Sequence, residues 1–149
     1  MSHLHVKIPY PASGAESRNN RILLVDDDPD IVEVLGRGLK VKGMQVDAYT
    51  CPQEALQSFK PGAYDLAILD IRMPTMTGFQ LYREIKNVDP AIAVCFLSAF
   101  EIQPNEFRSV FPSMDGVKII IKKPISLNEF LKQITPILRM SAHARKKIG

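Results

Sequence analysis

Short apolar runs separated by polar turns recur five times along the chain, and each run has the length of a buried strand. They occupy residues 21–25, 44–49, 64–70, 91–97 and 116–123. Isoleucine, leucine and valine dominate these runs, which is typical of strands covered on both faces. Between the runs, apolar residues return at helical spacing. This alternation predicts an α/β fold, in which a parallel sheet has right-handed crossovers and helices on both faces.

Capping residues set the ends of several predicted helices. Asp28 precedes Pro29 in the way that a helix cap precedes a first-turn proline, and Gly43 is expected to end the first helix. Capping boxes are predicted at residues 50–53 and 126–129, ahead of the second and the last helix. Both boxes place a hydroxyl residue three positions before Gln or Glu.

The apolar spacing defines the remaining helices. The third helix follows Gly78 and is expected to close near Asn87. The fourth is predicted to be short, because two prolines bracket residues 105–111. The last helix has the clearest apolar stripe and carries Pro136 as a candidate kink.

Polar residues stand at the carboxyl ends of four of the predicted strands. Asp26 and Asp27 follow the first strand, Asp70 ends the third, Ser98 follows the fourth, and Lys123 ends the fifth. A parallel sheet brings these ends to one edge, where such folds bind ligands. Taken singly, each residue also has an ordinary structural role as a turn residue, a helix cap or a surface lysine. Their coincidence at four strand ends favours a shared site.

Carboxylates gathered at one edge require a cation. Two of them about 4 Å apart repel by roughly 4 kcal/mol at an effective dielectric near 20. Oxygen ligands of this kind suit Mg²⁺, whereas zinc is disfavoured because no cysteine or histidine stands at a strand end. With Mg²⁺, the groups fit phosphoryl transfer to a carboxylate. Asp70 is then the nucleophile, Lys123 neutralises charge, and the Ser98 hydroxyl donates to a phosphoryl oxygen.

Size and composition indicate one ordinary globular domain. The chain has 149 residues, 46% of them hydrophobic and 23% charged, with a net charge of +3. No apolar stretch approaches the roughly 18 residues that span a bilayer, and no signal-peptide core is present, so the expected location is cytoplasmic. Two cysteines in different elements predict free thiols rather than a disulfide.

The chain divides into three predicted segments. Residues 1–20 are predicted to be a flexible leader, because prolines, glycine and small polar residues show no periodicity there. Residues 21–139 form the predicted domain. Residues 140–149 are a basic tail, for which solvation is expected rather than nucleic-acid binding.

Four motifs in order resemble the receiver domain of two-component response regulators, which is CheY-like. They lie at residues 22–28, 69–78, 97–99 and 123–124, within a resemblance that covers roughly residues 21–139. The resemblance implies a flavodoxin-like (βα)5 fold with a doubly wound five-stranded sheet in the order 2-1-3-4-5.

The resemblance also implies residue roles. It implies that Asp26 and Asp27 form an acidic pair that binds Mg²⁺, and that Asp70 and the backbone carbonyl of Arg72 complete the coordination of the ion. Asp70 is the implied phosphoryl acceptor, and Ser98 is the implied switch hydroxyl, which follows the phosphorylation state.

The remaining implied roles lie in the fifth strand and in two variable positions. Lys123 would contact the phosphoryl group and would be followed by a cis bond to Pro124. Ile120 stands where the family usually has a switch aromatic, which leaves the readout of phosphorylation open. Arg72 and Phe100 occupy positions that tune hydrolysis of the phosphoryl group in the family.

The leading hypothesis is a stand-alone receiver that takes a phosphoryl group on Asp70 from a histidine kinase or phosphotransfer protein and signals through protein contacts. A downstream protein and a second copy of the chain are the candidate partners. The main alternative is a receiver-like interaction module that is never phosphorylated, which Ile120 favours. A Mg²⁺-dependent phosphohydrolase is disfavoured, because Arg72 stands where its acid would be needed. Membrane binding is not expected.

Overall fold

The computed structural model describes residues 20–100 and 116–148, with residues 141–148 described by their backbone alone. The strands are β1 Arg21–Val25, β2 Gln45–Tyr49, β3 Leu66–Asp70, β4 Ala93–Ser98 and β5 Val117–Lys122. The helices are α1 Pro29–Val41, α2 Pro52–Ser58, α3 Gly78–Val88 and α4 Leu127–Ile148.

All five strands are parallel and form one sheet in the order β2-β1-β3-β4-β5. The predicted flavodoxin-like fold is therefore confirmed. Successive side chains of a strand point to opposite faces, so each buried strand feeds two cores. One core packs the sheet against α2 and α3, and the other packs it against α1 and α4. Every residue of β3 and β4 is buried, which explains their continuous apolar runs.

The predicted limits of the first helix are confirmed. The backbone N–H of Asp30 donates to the Asp28 side chain at 2.9 Å, and Pro29 occupies the first helical position. The helix ends at Val41, and Gly43 follows with φ of 91°. That left-handed conformation is accessible to glycine at little cost, so Gly43 lets the chain turn into β2.

The capping box predicted at residues 50–53 is wrong. Pro52 takes the first helical position of α2, so the cap position falls on Cys51, which makes no side-chain capping bond. Thr50 lies one residue too early to reach the first turn. A box that the sequence reading missed begins α3, where Thr77 and Gln80 each bond the other's backbone N–H.

Of the capping box predicted at residues 126–129, the bond to the serine hydroxyl is present. Ser126 accepts a hydrogen bond from the backbone N–H of Glu129 at 3.1 Å. Helix α4 contains Pro136 and continues to Ile148, past the point at which its apolar stripe ends. The backbone of most of the predicted basic tail is thus helical, and the domain boundary at 139 stays a prediction.

Two predicted segments fall largely or wholly outside the described residues. They are the leader, of which residue 20 alone is described, and the short helix at 105–111. Within the described part of the chain, none of the four helices combines the length and the apolar character that crossing a membrane requires.

Candidate functional site

The polar residues predicted to share a site lie at the carboxyl edge of the sheet. Asp26 directly follows β1, Asp70 ends β3, Ser98 ends β4, and Lys123 directly follows β5. Asp26, Asp70 and Ser98 are buried, with exposed fractions of 0%, 4% and 2%. Buried polar side chains are uncommon unless they are paired or functional. The burial of three polar side chains at one edge therefore indicates pairing or a function rather than core packing.

Three carboxylates converge at this edge. One oxygen from each of Asp26, Asp27 and Asp70 lies within 4.8 Å of the others, and only Asp27 of the three is exposed. Asp26 Oδ1 accepts a hydrogen bond of 2.9 Å from the backbone N–H of Asp28. Because the turn after β1 fixes that oxygen, the second oxygen of Asp26 is left for other partners.

Lys123 supplies the positive charge within the carboxylate cluster. Its Nζ lies 2.9 Å from Asp26 Oδ2 and 3.2 Å from Asp70 Oδ1. The Lys123 backbone N–H donates to the Ser98 carbonyl at 2.7 Å, and the bond from Lys123 to Pro124 is cis. The ammonium is thus held by the sheet between two buried carboxylates.

The carboxylate cluster shifts the pKa values of its members. Burial raises the pKa of Asp70 to about 7, and the negative charge of Asp26 adds to this rise, while Lys123 partly opposes it. For Lys123, burial acts to lower the pKa, but the hydrogen bond to Asp26 and the charges of both carboxylates outweigh it and raise the pKa. In the absence of a metal, Asp70 therefore holds a proton at pH values at which an ordinary Asp is ionised.

The Ser98 hydroxyl is engaged by the backbone that follows β4. It donates to the Phe100 carbonyl at 2.7 Å and accepts from the Phe100 N–H at 3.1 Å. These bonds satisfy a hydroxyl that is almost completely buried. Ser98 thus lies at the predicted edge, but its hydroxyl is turned to its own loop.

Arg72 and Phe100 meet above this edge, although the sequence places them in separate loops. The guanidinium carbon of Arg72 lies 4.4 Å from the centre of the Phe100 ring, a cation–π contact. Both side chains are exposed, with Phe100 at 53%. The contact connects the loop after β3 to the loop after β4. No pattern in the sequence indicates this contact, because any exposed aromatic residue could make it.

Ile120 is partly buried in the core beneath α2 and α3. It pairs with Phe96 across β4 and β5, and the Phe96 ring in turn makes an edge contact with the Phe79 ring at 5.2 Å. Aromatic packing near position 120 is thus supplied by the neighbouring strand and by α3 rather than by β5 itself.

Gly78 closes the loop that follows β3. This β3–α3 loop comprises residues 71–77, and its two ends touch, because the Gly78 N–H donates to the Ile71 carbonyl at 2.8 Å. A Cβ placed on Gly78 would lie 2.2 Å from the carbonyl oxygen of Asp70. The sequence marks Gly78 only as a turn residue, whereas the structure shows that a glycine here lets α3 abut the backbone of Asp70.

Replacing Gly78 with alanine is therefore expected to destabilise the domain by about 2 kcal/mol, as for other overpacked sites. Backbone atoms on both sides must move, so little relaxation is available. Gly36→Ala is the matched control. Its Cβ would make an ordinary 3.8 Å contact with Leu24, and a helical alanine should stabilise by about 0.5–1 kcal/mol. Urea unfolding of both variants checks the contrast, and equal midpoints would contradict it.

The fold and the site together define a class of protein, the doubly wound α/β domains with an acidic, lysine-bridged edge. A family profile described as "Response regulator receiver domain" matches residues 22–145. The chain belongs to this family of two-component receiver domains.

Curated relatives agree with this assignment. The chain is 34% identical over 123 residues to the transcriptional regulatory protein GlrR of Escherichia coli, a match that covers 83% of this chain and 27% of GlrR. It is 31% identical over 119 residues to the transcriptional regulatory protein PrrA of Mycobacterium tuberculosis, covering 80% of this chain and 50% of PrrA. The chain thus spans between about a quarter and a half of the length of these relatives.

Solved receiver structures share the fold. A CheY-like receiver domain protein from Methanospirillum hungatei matches with a TM-score of 0.74 and 26% identity, covering 89% of this chain and 100% of that chain. The non-phosphorylated HemR receiver domain from Leptospira biflexa matches with a TM-score of 0.73 and 31% identity, covering 80% and 94%. TrrA from Thermotoga maritima, solved in complex with Mg²⁺ and BeF, matches with a TM-score of 0.65 and 30% identity, covering 79% and 98%.

Proposed function

We propose that this receiver takes a phosphoryl group on Asp70 from a histidine kinase or phosphotransfer protein, and that it signals through contacts that depend on phosphorylation. The observation that carries the proposal is the buried Asp70 carboxylate, which lies within 4.8 Å of two other carboxylates and 3.2 Å from an ammonium. A nucleophile beside cation ligands and a fixed positive charge is the arrangement that phosphoryl transfer to a carboxylate needs.

The charges of the site favour a divalent cation. Three carboxylates face one ammonium, so the fully ionised site carries excess negative charge. We propose that Mg²⁺ is held by Asp26, Asp27, Asp70 and the backbone carbonyl of Arg72, since hard oxygen ligands suit this ion. When bound, Mg²⁺ supplies positive charge that stabilises the transferring phosphoryl oxygens.

The protein residues divide the remaining work. An Asp70 oxygen attacks phosphorus, the bond from phosphorus to the donor nitrogen breaks, and an acyl phosphate forms on Asp70. The Lys123 ammonium, already 3.2 Å from Asp70, then balances phosphoryl charge. Burial of Asp70 keeps bulk water from much of the carboxylate. Each role is a proposal for the residue that occupies the family's motif position.

Signalling requires that the phosphoryl group prefer one arrangement of the site over another. Ser98 offers such a choice, because its hydroxyl bonds the Phe100 backbone in this structure and could bond a phosphoryl oxygen instead. Reversing a 1:99 population to 99:1 needs about 5.5 kcal/mol of preference. Contacts of the phosphoryl group to Lys123, Ser98 and Mg²⁺ are the proposed source.

A module that is never phosphorylated is the second candidate, and Ile120 favours it because the usual switch aromatic is missing from β5. A phosphohydrolase is disfavoured, because it would need a general acid at position 72. Arg72 stands there instead, and its guanidinium lies over the Phe100 ring. The stand-alone organisation of the receiver stays a prediction. Its partners also stay predictions, namely the kinase, the downstream protein and a second copy of the chain.

Intact mass spectrometry after incubation with acetyl phosphate and Mg²⁺ tests the proposal. The wild-type protein is expected to gain the mass of one phosphoryl group, while Asp70→Asn gains none, because an amide is a poor nucleophile. EDTA should abolish the gain in the wild type. A wild-type protein that stays unmodified with acetyl phosphate and with phosphoramidate would favour the module that is never phosphorylated.

A further inference from the structure

The β3–α3 loop is tethered to helix α2 by a hydrogen bond between two side chains. Thr75, near the tip of the loop, donates its hydroxyl to Gln53 Oε1 at 2.9 Å. Gln53 lies in the first turn of α2, and the same oxygen accepts the Cys51 thiol at 3.4 Å. Gln53 thus connects two segments that are 22 positions apart in the sequence.

Other contacts hold the rest of the β3–α3 loop, but not the part that contains Thr75. The base of the loop is pinned by backbone bonds, from Ile71 N–H to the Leu97 carbonyl at 2.9 Å and from Gly78 N–H to the Ile71 carbonyl at 2.8 Å. Further along, Met73 is buried in the core at 7% exposure. Met76 also packs, partly buried, against this core, so the residues that core packing does not hold are the exposed positions 74 and 75 between them.

We infer that Gln53 is a positioning residue for the phosphoryl-acceptor site, and this inference rests on the proposed function. By holding Thr75, Gln53 restrains the two exposed residues between Met73 and Met76, and through the Met73 peptide it limits how far the adjoining Arg72 carbonyl can rotate. That carbonyl is the proposed metal ligand, and a ligand that is pre-oriented loses less conformational freedom on binding. Gln53 touches neither the metal nor the phosphoryl group.

The test uses variants that remove the bond from each side. Gln53→Leu keeps the size of the side chain without the acceptor, and Thr75→Val keeps the shape without the donor. Gln53→Glu retains an acceptor oxygen and should restore the tether. Gln57→Leu is the matched control, since Gln57 is also exposed on α2. All variants are made in the full chain.

Two measurements are expected to change. Without metal, hydrogen exchange of residues 71–77 should accelerate about three- to ten-fold in Gln53→Leu and in Thr75→Val, as for the loss of one hydrogen bond. Mg²⁺ affinity measured by calorimetry should fall by a similar factor. The double variant should match the single variants, because both substitutions remove the same bond. Gln57→Leu should behave as the wild type.

Unchanged exchange, unchanged Mg²⁺ affinity or additive effects in the double variant would each overturn the inference. The proposed function can fail separately, if wild-type protein takes no phosphoryl group on Asp70. Conversely, a second result is that the wild type takes a phosphoryl group on Asp70 while Gln53→Leu and Thr75→Val bind Mg²⁺ with wild-type affinity. That result would remove the positioning role of Gln53 and leave the proposed function standing. Because hydrogen exchange is measured without metal, it tests the bond between Gln53 and Thr75 whether or not Asp70 is phosphorylated.

Discussion

Metal-free Asp70→Asn is expected to be more stable than the wild-type protein at pH 8, and the difference should shrink towards pH 5. The pKa of Asp70 rises from its ordinary 3.8 to about 7 on folding, chiefly because the carboxyl is buried and because Asp26 lies beside it. The folded state therefore binds the Asp70 proton more tightly than the unfolded state does. Stability from this group is present at low pH and is lost as pH rises through about 7.

The size of the effect follows from the same linkage. A carboxyl with these two pKa values costs on the order of 4 kcal/mol of stability once it is fully ionised. Asparagine avoids this cost, because it carries no charge. Urea unfolding in EDTA at pH 5, 6, 7 and 8 measures the difference between the two proteins, which cancels contributions from other titrating groups. A difference that is constant with pH would contradict the raised pKa.

Mg²⁺ provides an independent check of the same argument. Saturating Mg²⁺ should stabilise the wild-type protein more at pH 8 than at pH 5, since the ion competes with the proton for Asp70. Asp70→Asn should gain much less from the metal. The carboxylate that is expected to destabilise the metal-free protein at high pH is thus one of the proposed ligands of the ion.

Replacing Lys123 with methionine is expected to destabilise the metal-free protein by about 3 kcal/mol at pH 8, because it leaves buried carboxylates without their partner. The Lys123 side chain is only 15% exposed and contacts both Asp26 and Asp70. The loss should be smaller at pH 5, where Asp70 is protonated. Thermal and urea unfolding at both pH values measure it.

Lys118→Met is the matched control for this substitution, since Lys118 is exposed on β5. It should change stability by less than about 0.5 kcal/mol. Mg²⁺ should restore more stability to Lys123→Met than it adds to the wild type, because the ion supplies the charge that the variant lacks. An equal gain in the two proteins would show that the ammonium and the metal do not share the same carboxylates.

The fold was predictable because it rests on local signals. Uninterrupted apolar runs mark β3 and β4, and these strands are buried on both faces. The cap at Asp28 and the turn at Gly43 follow from the chemistry of single residues. The capping box at residues 50–53 failed because Pro52 moved the cap to Cys51, so that two local signals competed for one helix end.

The meeting of Asp26, Asp70 and Lys123 was also predictable, for a topological reason. Residues that end parallel strands of one sheet must share an edge, whatever the loops between them do. The sequence therefore determined which residues gather at the site and the sign of their charges. The roles of these residues in metal binding and phosphoryl transfer remain proposals.

The tertiary structure alone decided how those groups engage each other. Lys123 bridges two carboxylates, the Ser98 hydroxyl turns to Phe100, and Gly78 lies against the backbone of Asp70. Contacts between a helix and a loop, such as that of Gln53 with Thr75, depend on how far α2 and the sheet stand apart. These distances are set by the packing of many side chains at once, which no local pattern encodes, whereas hydrophobic periodicity and strand order are written along the chain.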